Sequence, residues 1–255
     1  MPLPKLGKLA PKYDHRTLRF ADYLKPSVAI KPPTAAGWDQ KDYPWGYMLN
    51  DQLGCCTCSG IGHGLQLWTS DTGKAFNPPD AAILKAYEDV GGYRPGFPQT
   101  DNGAVMLDVA DYFVRTGVAG HKANAFVKVN LRSKVQTELA IYWFGFLYLG
   151  VALPARAQSQ IGKVWQLPTT GTWLPEDRPG SWGGHAIIAT AYNASGLGCI
   201  TWGARQNMTW NWFNAYADEA YAFVSNDWLD KTGKAPNGLD LAALNADLSA
   251  LPRAV

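Results

Sequence analysis

The sequence predicts an α+β protein, and three observations predict it. The first 145 or so residues hold apolar stripes at helical spacing, each opened by a capping or Pro residue and closed by Gly. The segments after residue 146 are instead short apolar or β-branched runs separated by Gly-containing turns. Helices that precede strands, without regular βαβ alternation, argue α+β rather than α/β.

The elements follow in order. Residues 1–36 are rich in Pro and Lys, and read as a basic extended arm with one strand-like piece, Thr17-Leu-Arg-Phe. Gly37-Trp-Asp and the aromatic loop Tyr43-Pro-Trp-Gly-Tyr-Met lead into Asn50-Asp-Gln-Leu-Gly-Cys-Cys-Thr-Cys-Ser59. Ile61, Leu65 and Trp68 keep helical spacing behind it, with Thr57 or Ser59 as the expected cap and Asp71-Thr-Gly73 as the stop. Pro78-Pro-Asp80 opens a second helix, to Val90. Val105, Val109, Tyr112 and Phe113 mark a third, stopped by Gly117.

Ala125–Val129 alternates as a strand. Ser133 caps a fourth helix that runs into a strand over Phe146–Leu153, and a loop of about 30 residues follows. Strands are expected over His185–Tyr192, Gly198–Trp202 and Ala220–Val224, with a short aromatic helix capped by Thr209. The main domain is expected over 37–230. Residues 231–255 form a tail whose Leu239, Ala242, Ala243, Leu248 and Leu251 suit a small amphipathic helix.

Composition narrows the function. The chain has 255 residues, a net charge of +2 and 17 % charged residues. That balance, with no basic run interleaved with aromatics, argues against nucleic acid. The apolar run from Ala140 to Ala155 is shorter than a membrane span, and the N-terminus lacks a signal-peptide core. A soluble protein is expected, cytoplasmic in a bacterium or associated with a phage. Eleven Trp and twelve Tyr suggest a wide apolar cleft or a contact surface for protein partners, alongside the arm.

Three of the four cysteines crowd the start of the first helix. A thiol there has its thiolate favoured by unpaired N–H groups and by the positive end of the dipole. It becomes a catalyst only when an imidazole reaches it. His185, in Ser-Trp-Gly-Gly-His-Ala-Ile-Ile, lies about 130 residues downstream, a papain-type order and separation. Adjacent Cys55 and Cys56 cannot easily bridge, so reduced thiols are expected. A zinc site from Cys55, Cys56, Cys58 and His63 is disfavoured by its geometry and by the lack of a second Cys-x-x-Cys pair. No metal and no cofactor are expected. His63, on the face of Cys56, reads as a core histidine.

Several pieces together resemble papain-like cysteine peptidases. Trp38-Asp and Asn50-Asp-Gln52 are similar to that family's lead-in to its nucleophile. Asp101-Asn-Gly103 is similar to its Asn-Gly-Gly segment, and Gly184-His185-Ala186 with Tyr192 to its histidine strand. Trp202-Gly203 is similar to its Asn-Ser-Trp-Gly. The resemblance spans roughly residues 37–226 and implies a helical half whose cysteine helix packs on an antiparallel sheet or barrel.

It also implies two registers for the nucleophile. Gln52 stands six positions before Cys58, as the oxyanion residue does in the family; Asn50 stands six before Cys56, where looser, phage-type relatives read Gly-Asp-Cys. Cys56 is preferred on the length of that second match. Where the family orients its histidine with Asn, this chain has Ile200 and Thr201, so Thr201 is expected to accept from the Nδ1–H of His185 and Trp202 to shield that contact. Gly183 and Gly184 let backbone pass close to substrate.

Three functions stay open. One is an active peptidase or amidase cutting a peptide or a peptidoglycan-like cross-link. Another is a catalytically degenerate structural or binding protein on the same scaffold, such as a phage virion component. The last is an acyltransferase or transglutaminase-like enzyme.

Overall fold

The computed structural model describes residues 3–24, 31–39, 43–169, 173–230, 232 and 234–237. The helix expected at Leu239–Leu251 lies outside these residues. Seven strands form a single sheet: β1 (Ala36–Gly37), β2 (Ala125–Lys128), β3 (Leu147–Leu153), β4 (Gly183–Tyr192), β5 (Gly196–Thr201), β6 (Ala204–Thr209) and β7 (Ala217–Val224). The order is β2-β7-β3-β4-β5-β6, with β1 pairing β4, and every pairing is antiparallel. The sheet stays open, so the barrel alternative falls away.

The helices are α1 (Cys56–Asp71), α2 (Asp80–Gly91), α3 (Met106–Arg115), α4 (Lys134–Phe144) and α5 (Trp210–Tyr216). Ser133 Oγ accepts from Gln136 N at 3.3 Å and Thr209 Oγ1 from Trp212 N at 3.2 Å, the capping bonds expected of both residues. The start of α1 differs from expectation. The helix begins at Cys56 behind Cys55, and no side chain caps it.

Helix α1 positions everything that follows. It is buried along nearly its whole length, from Cys56 to Thr69. Such a helix needs small residues to approach its neighbours closely, and Gly60, Gly62 and Gly64 supply them. A Cβ at Gly62 would lie 2.4 Å from Met48 Sδ, and one at Gly64 2.3 Å from Phe146 Cζ. Tyr148, near the start of β3, donates its hydroxyl to the Thr57 carbonyl at 2.8 Å. Trp68 at the far end donates to Phe144 O at 2.7 Å. The helix is thus fixed to the sheet at its first turn, which lies against β4, and to the end of α4 at its last.

Two local expectations are corrected. Thr17–Phe20 is not a strand: a 3-10 turn covers Phe20–Tyr23, and only Arg19 bridges Lys128. Its aromatic ring explains the choice, because Phe20 turns inward onto Trp143 and Phe144. Strand β6 was not expected. Only Gln206 and Met208 face inward on it, so its sequence reads as polar.

Candidate active site

The first turn of α1 faces the start of β4. A network behind it sets the backbone entry: Asp101 Oδ1 accepts from Gly54 N at 2.8 Å and from the Tyr87 hydroxyl at 2.7 Å, and that hydroxyl accepts from Gly103 N. Asp101 therefore ties the loop before the cysteines to the loop before α3. The motif containing Asp101 is legible in the sequence; its positioning role is not.

The three cysteines part company here. Cys55, just ahead of the helix, turns inward, its sulfur near Met48 O and Ser59 Oγ, and burial pushes its thiol up to about 12. Cys58 sits fully buried in the core, and burial pushes its thiol far up as well. Cys56 alone among them meets the backbone N–H groups of Ala186 and Gly7. Burial still dominates and pushes it up to about 11, while those N–H groups and the Lys8 ammonium pull the other way. All four cysteines, including Cys199 on β5, are free.

His185, the neighbour of Ala186, is 1 % exposed. Its Nε2 lies 2.7 Å from Thr201 Oγ1 on β5. This corrects the expected pairing, which ran through Nδ1. The imidazole is turned so that its far ring nitrogen faces the threonine, and Nδ1 is buried with no hydrogen-bond partner among the described residues. Trp202 stacks on the imidazole at 4.3 Å between centroids and 18° between planes. It does so from a left-handed backbone conformation, φ 47°, in the β5–β6 turn.

Asn50 is buried, and its Nδ2 donates to Leu53 O at 3.0 Å. An amide carries two N–H groups, so one is left for another acceptor. Gln52 is exposed and donates to Asp51 Oδ2 at 3.3 Å, away from the cysteines. The structure thus sets Cys56 against the strand that carries His185 and places Thr201 and Trp202 on the imidazole, with no hydrogen bond between Cys56 and His185; Cys58 lies in the core and Gln52 is exposed.

The groove expected to be open is filled by the chain itself. Lys5 N donates to Asn50 O at 3.2 Å, and Trp202 Nε1 donates to Lys5 O at 3.1 Å. Gly7 N and Lys8 N both donate to Gly184 O, at 3.3 and 3.1 Å. Gly7 O accepts from Ala104 N at 2.8 Å, and Leu9 N donates to Ala104 O at 3.0 Å, as a parallel bridge. Residues 5–9 thereby bind both walls and cross directly over Cys56. Glycines make the fit: a Cβ on Gly7 would lie 1.7 Å from Gly54 O, and one on Gly184 2.2 Å from Lys8 O. The arm, which from its sequence could lie across the domain or dock on a partner, lies across the domain over this stretch.

His63 is the core histidine anticipated, with Nε2 3.0 Å from Gly46 O. Burial pushes it down to about 4 and pushes His185, with help from His63, down to about 3. Both lie below the ordinary histidine value, so the folded state binds fewer protons than the unfolded chain as pH falls below about 6.5. Stability is therefore full above that pH and is lost on the way down to pH 3–4. At pH 5 each histidine costs about 2 kcal/mol relative to pH 7. Melting curves at the two pH values should show His63→Gln removing about half of the acid loss; an undiminished loss would assign it elsewhere.

No group of three or more His, Cys, Asp or Glu converges as a metal site among the described residues. Among the same residues, no helix is long and apolar enough to cross a membrane.

No protein-family model and no curated protein matches the sequence. Solved structures do match in shape. The cysteine protease xylellain from Xylella fastidiosa superposes with a TM-score of 0.67 at 14 % identity, over 88 % of this chain and 98 % of that one. ProCathepsin B S9 from Trypanosoma congolense gives 0.57 at 11 % identity, covering 86 % of each chain. The Carica candamarcensis cysteine protease CMS1MS2 gives 0.53 at 13 %, over 76 % of this chain and 99 % of that one. Over those shares of the chain the shapes agree: this protein has the papain-like cysteine peptidase fold.

Proposed function

We propose that the protein is a cysteine peptidase or amidase working through Cys56 and His185, closed in the described conformation by residues 5–9. The observation that carries this reading is that Cys56, of the three clustered cysteines, is the one at the helix tip against the backbone N–H of Ala186. With Nε2–H donated to Thr201, Nδ1 of His185 holds the lone pair and accepts the Cys56 proton. The sulfur then attacks the carbonyl carbon of the substrate amide. The carbonyl oxygen takes the charge, held by the Cys56 N–H and the second amide proton of Asn50; one such donor is worth about 10²–10³ in rate.

Collapse breaks the C–N bond, and His185 returns its proton to the departing amine. Water, deprotonated by the same imidazole, hydrolyses the thioester and frees Cys56. Peptides are the substrates this supports.

The burial of both reacting groups supports a second reading, a non-catalytic scaffold. Turnover of a mixed peptide-amide library by a full-length Gly7→Val variant, in which the arm no longer fits, separates the two. Cys56→Ala should abolish cleavage while Cys58→Ala retains it. Cleavage that survives Cys56→Ala, or no cleavage in any variant, overturns the proposal.

A further inference from the structure

Lys8 is the one buried lysine among the described residues of the arm, 6 % exposed, and its ammonium does not reach water. It enters a pocket beside the histidine strand. Nζ lies 2.8 Å from Asp218 Oδ2 and 3.2 Å from Glu219 Oε1. Glu219 is 1 % exposed, and its other oxygen accepts from the Tyr221 hydroxyl at 3.0 Å. Its Oε1 has only the ammonium facing it, outside hydrogen-bonding geometry.

The pocket is built into the sheet. The β3–β7 register shifts at Gly150/Val151, and a Cβ on Gly150 would lie 2.3 Å from Lys8 Cε and 2.8 Å from Glu219 Cγ. A bulge and a glycine thus open a channel wide enough for a lysine stem, and two carboxylates close its end. A deeply buried carboxylate costs stability unless a cation meets it. The backbone of Lys8, meanwhile, lies on Gly184, next to His185.

We propose that this pocket is the specificity pocket of the site and selects peptides with a Lys or Arg side chain, Lys8 being its resident occupant. The proposal rests on the peptidase reading above, and gives that site its substrate class. When the arm leaves, two carboxylates remain with one fewer cation. An aliphatic side chain would fill the channel and leave Glu219 unpaired; an acidic one would add a third negative charge. A basic side chain restores the pairing and lays its stem over Gly150.

The test measures binding alone, so it stands apart from catalysis. Full-length Gly7→Val/Lys8→Ala protein carrying Cys56→Ala is titrated with three fluorescein-labelled tetrapeptides that differ at one central residue: Lys, norleucine or Glu. The Lys peptide should bind about tenfold or more tightly than the norleucine peptide, and the Glu peptide more weakly still. Adding Asp218→Asn and Glu219→Gln should erase the preference. Gly7→Ala/Lys8→Ala with Cys56→Ala, in which the added Cβ still meets Gly54 O but nothing larger does, serves as the second background should the combined variant melt early.

Equal binding of Lys and norleucine peptides, or no binding by a folded variant, overturns the pocket. A preference for Lys without any turnover by the Cys56-intact protein would instead sink the peptidase reading and leave the pocket standing.

Discussion

Full-length Gly7→Val protein should react with iodoacetamide at Cys56 roughly two orders of magnitude faster than the unaltered chain at pH 7. The argument is steric first. A Cβ at position 7 would lie 1.7 Å from Gly54 O, backbone that Asp101 and Tyr87 hold in place, so the arm must lift. Lifting it lets water onto a thiol that burial pushes up to about 11. Relaxation toward the ordinary value of about 8.5 multiplies the thiolate fraction by a few hundred at neutral pH, before helix dipole and imidazole add their share. Peptide mapping of the labelled cysteine reads the outcome. Labelling spread over Cys55, Cys58 and Cys199 would mean that the variant unfolds. A rate unchanged from the parent would mean that the arm does not guard the sulfur.

In that opened protein, His185→Ala should lower the turnover number by about 10²–10⁴, the span of a lost general acid–base group. The imidazole is needed twice, to take the thiol proton and to return it to the leaving amine, and no other side chain at this site offers a free ring nitrogen. Thr201→Asn sharpens the test, because an amide oxygen in place of Oγ1 keeps a partner for Nε2. That variant should hold or raise the rate, whereas Thr201→Val should lower it by freeing the ring to turn. Equal rates for Thr201→Val and Thr201→Asn would show that the contact does not orient the histidine. Full activity in His185→Ala would remove the imidazole from the mechanism.

How much of this was legible in the sequence depends on the range of the forces involved. Helices α1–α5 and strands β2–β5 and β7 declare themselves locally, through apolar spacing, Ser133 and Thr209 caps and Gly stops. The pairing of the cysteine helix with the histidine strand is long-range, and a family resemblance conveys it. Residues 5–9 carry no local signal: a Pro- and Lys-rich segment reads as solvated, and nothing adjacent in sequence reveals that Lys8 meets Glu219 across the fold. The choice between Cys56 and Cys58 likewise turns on which side of α1 faces β4. The ring nitrogen that meets Thr201 depends on how the imidazole is turned, which the order of motifs does not contain.

The contact at position 7 also has a consequence for what else can lie over the sulfur. The arm fits there by presenting bare backbone to bare backbone, Gly7 against Gly54 and Gly103. Any peptide tracing the same path in the same direction must carry hydrogen in place of a side chain at that point. Most free peptides cannot, so they must enter on another line or with reversed polarity. The cleft therefore tells its own tether apart from its visitors by the absence of an atom, while the neighbouring lysine supplies the attraction that keeps the tether seated.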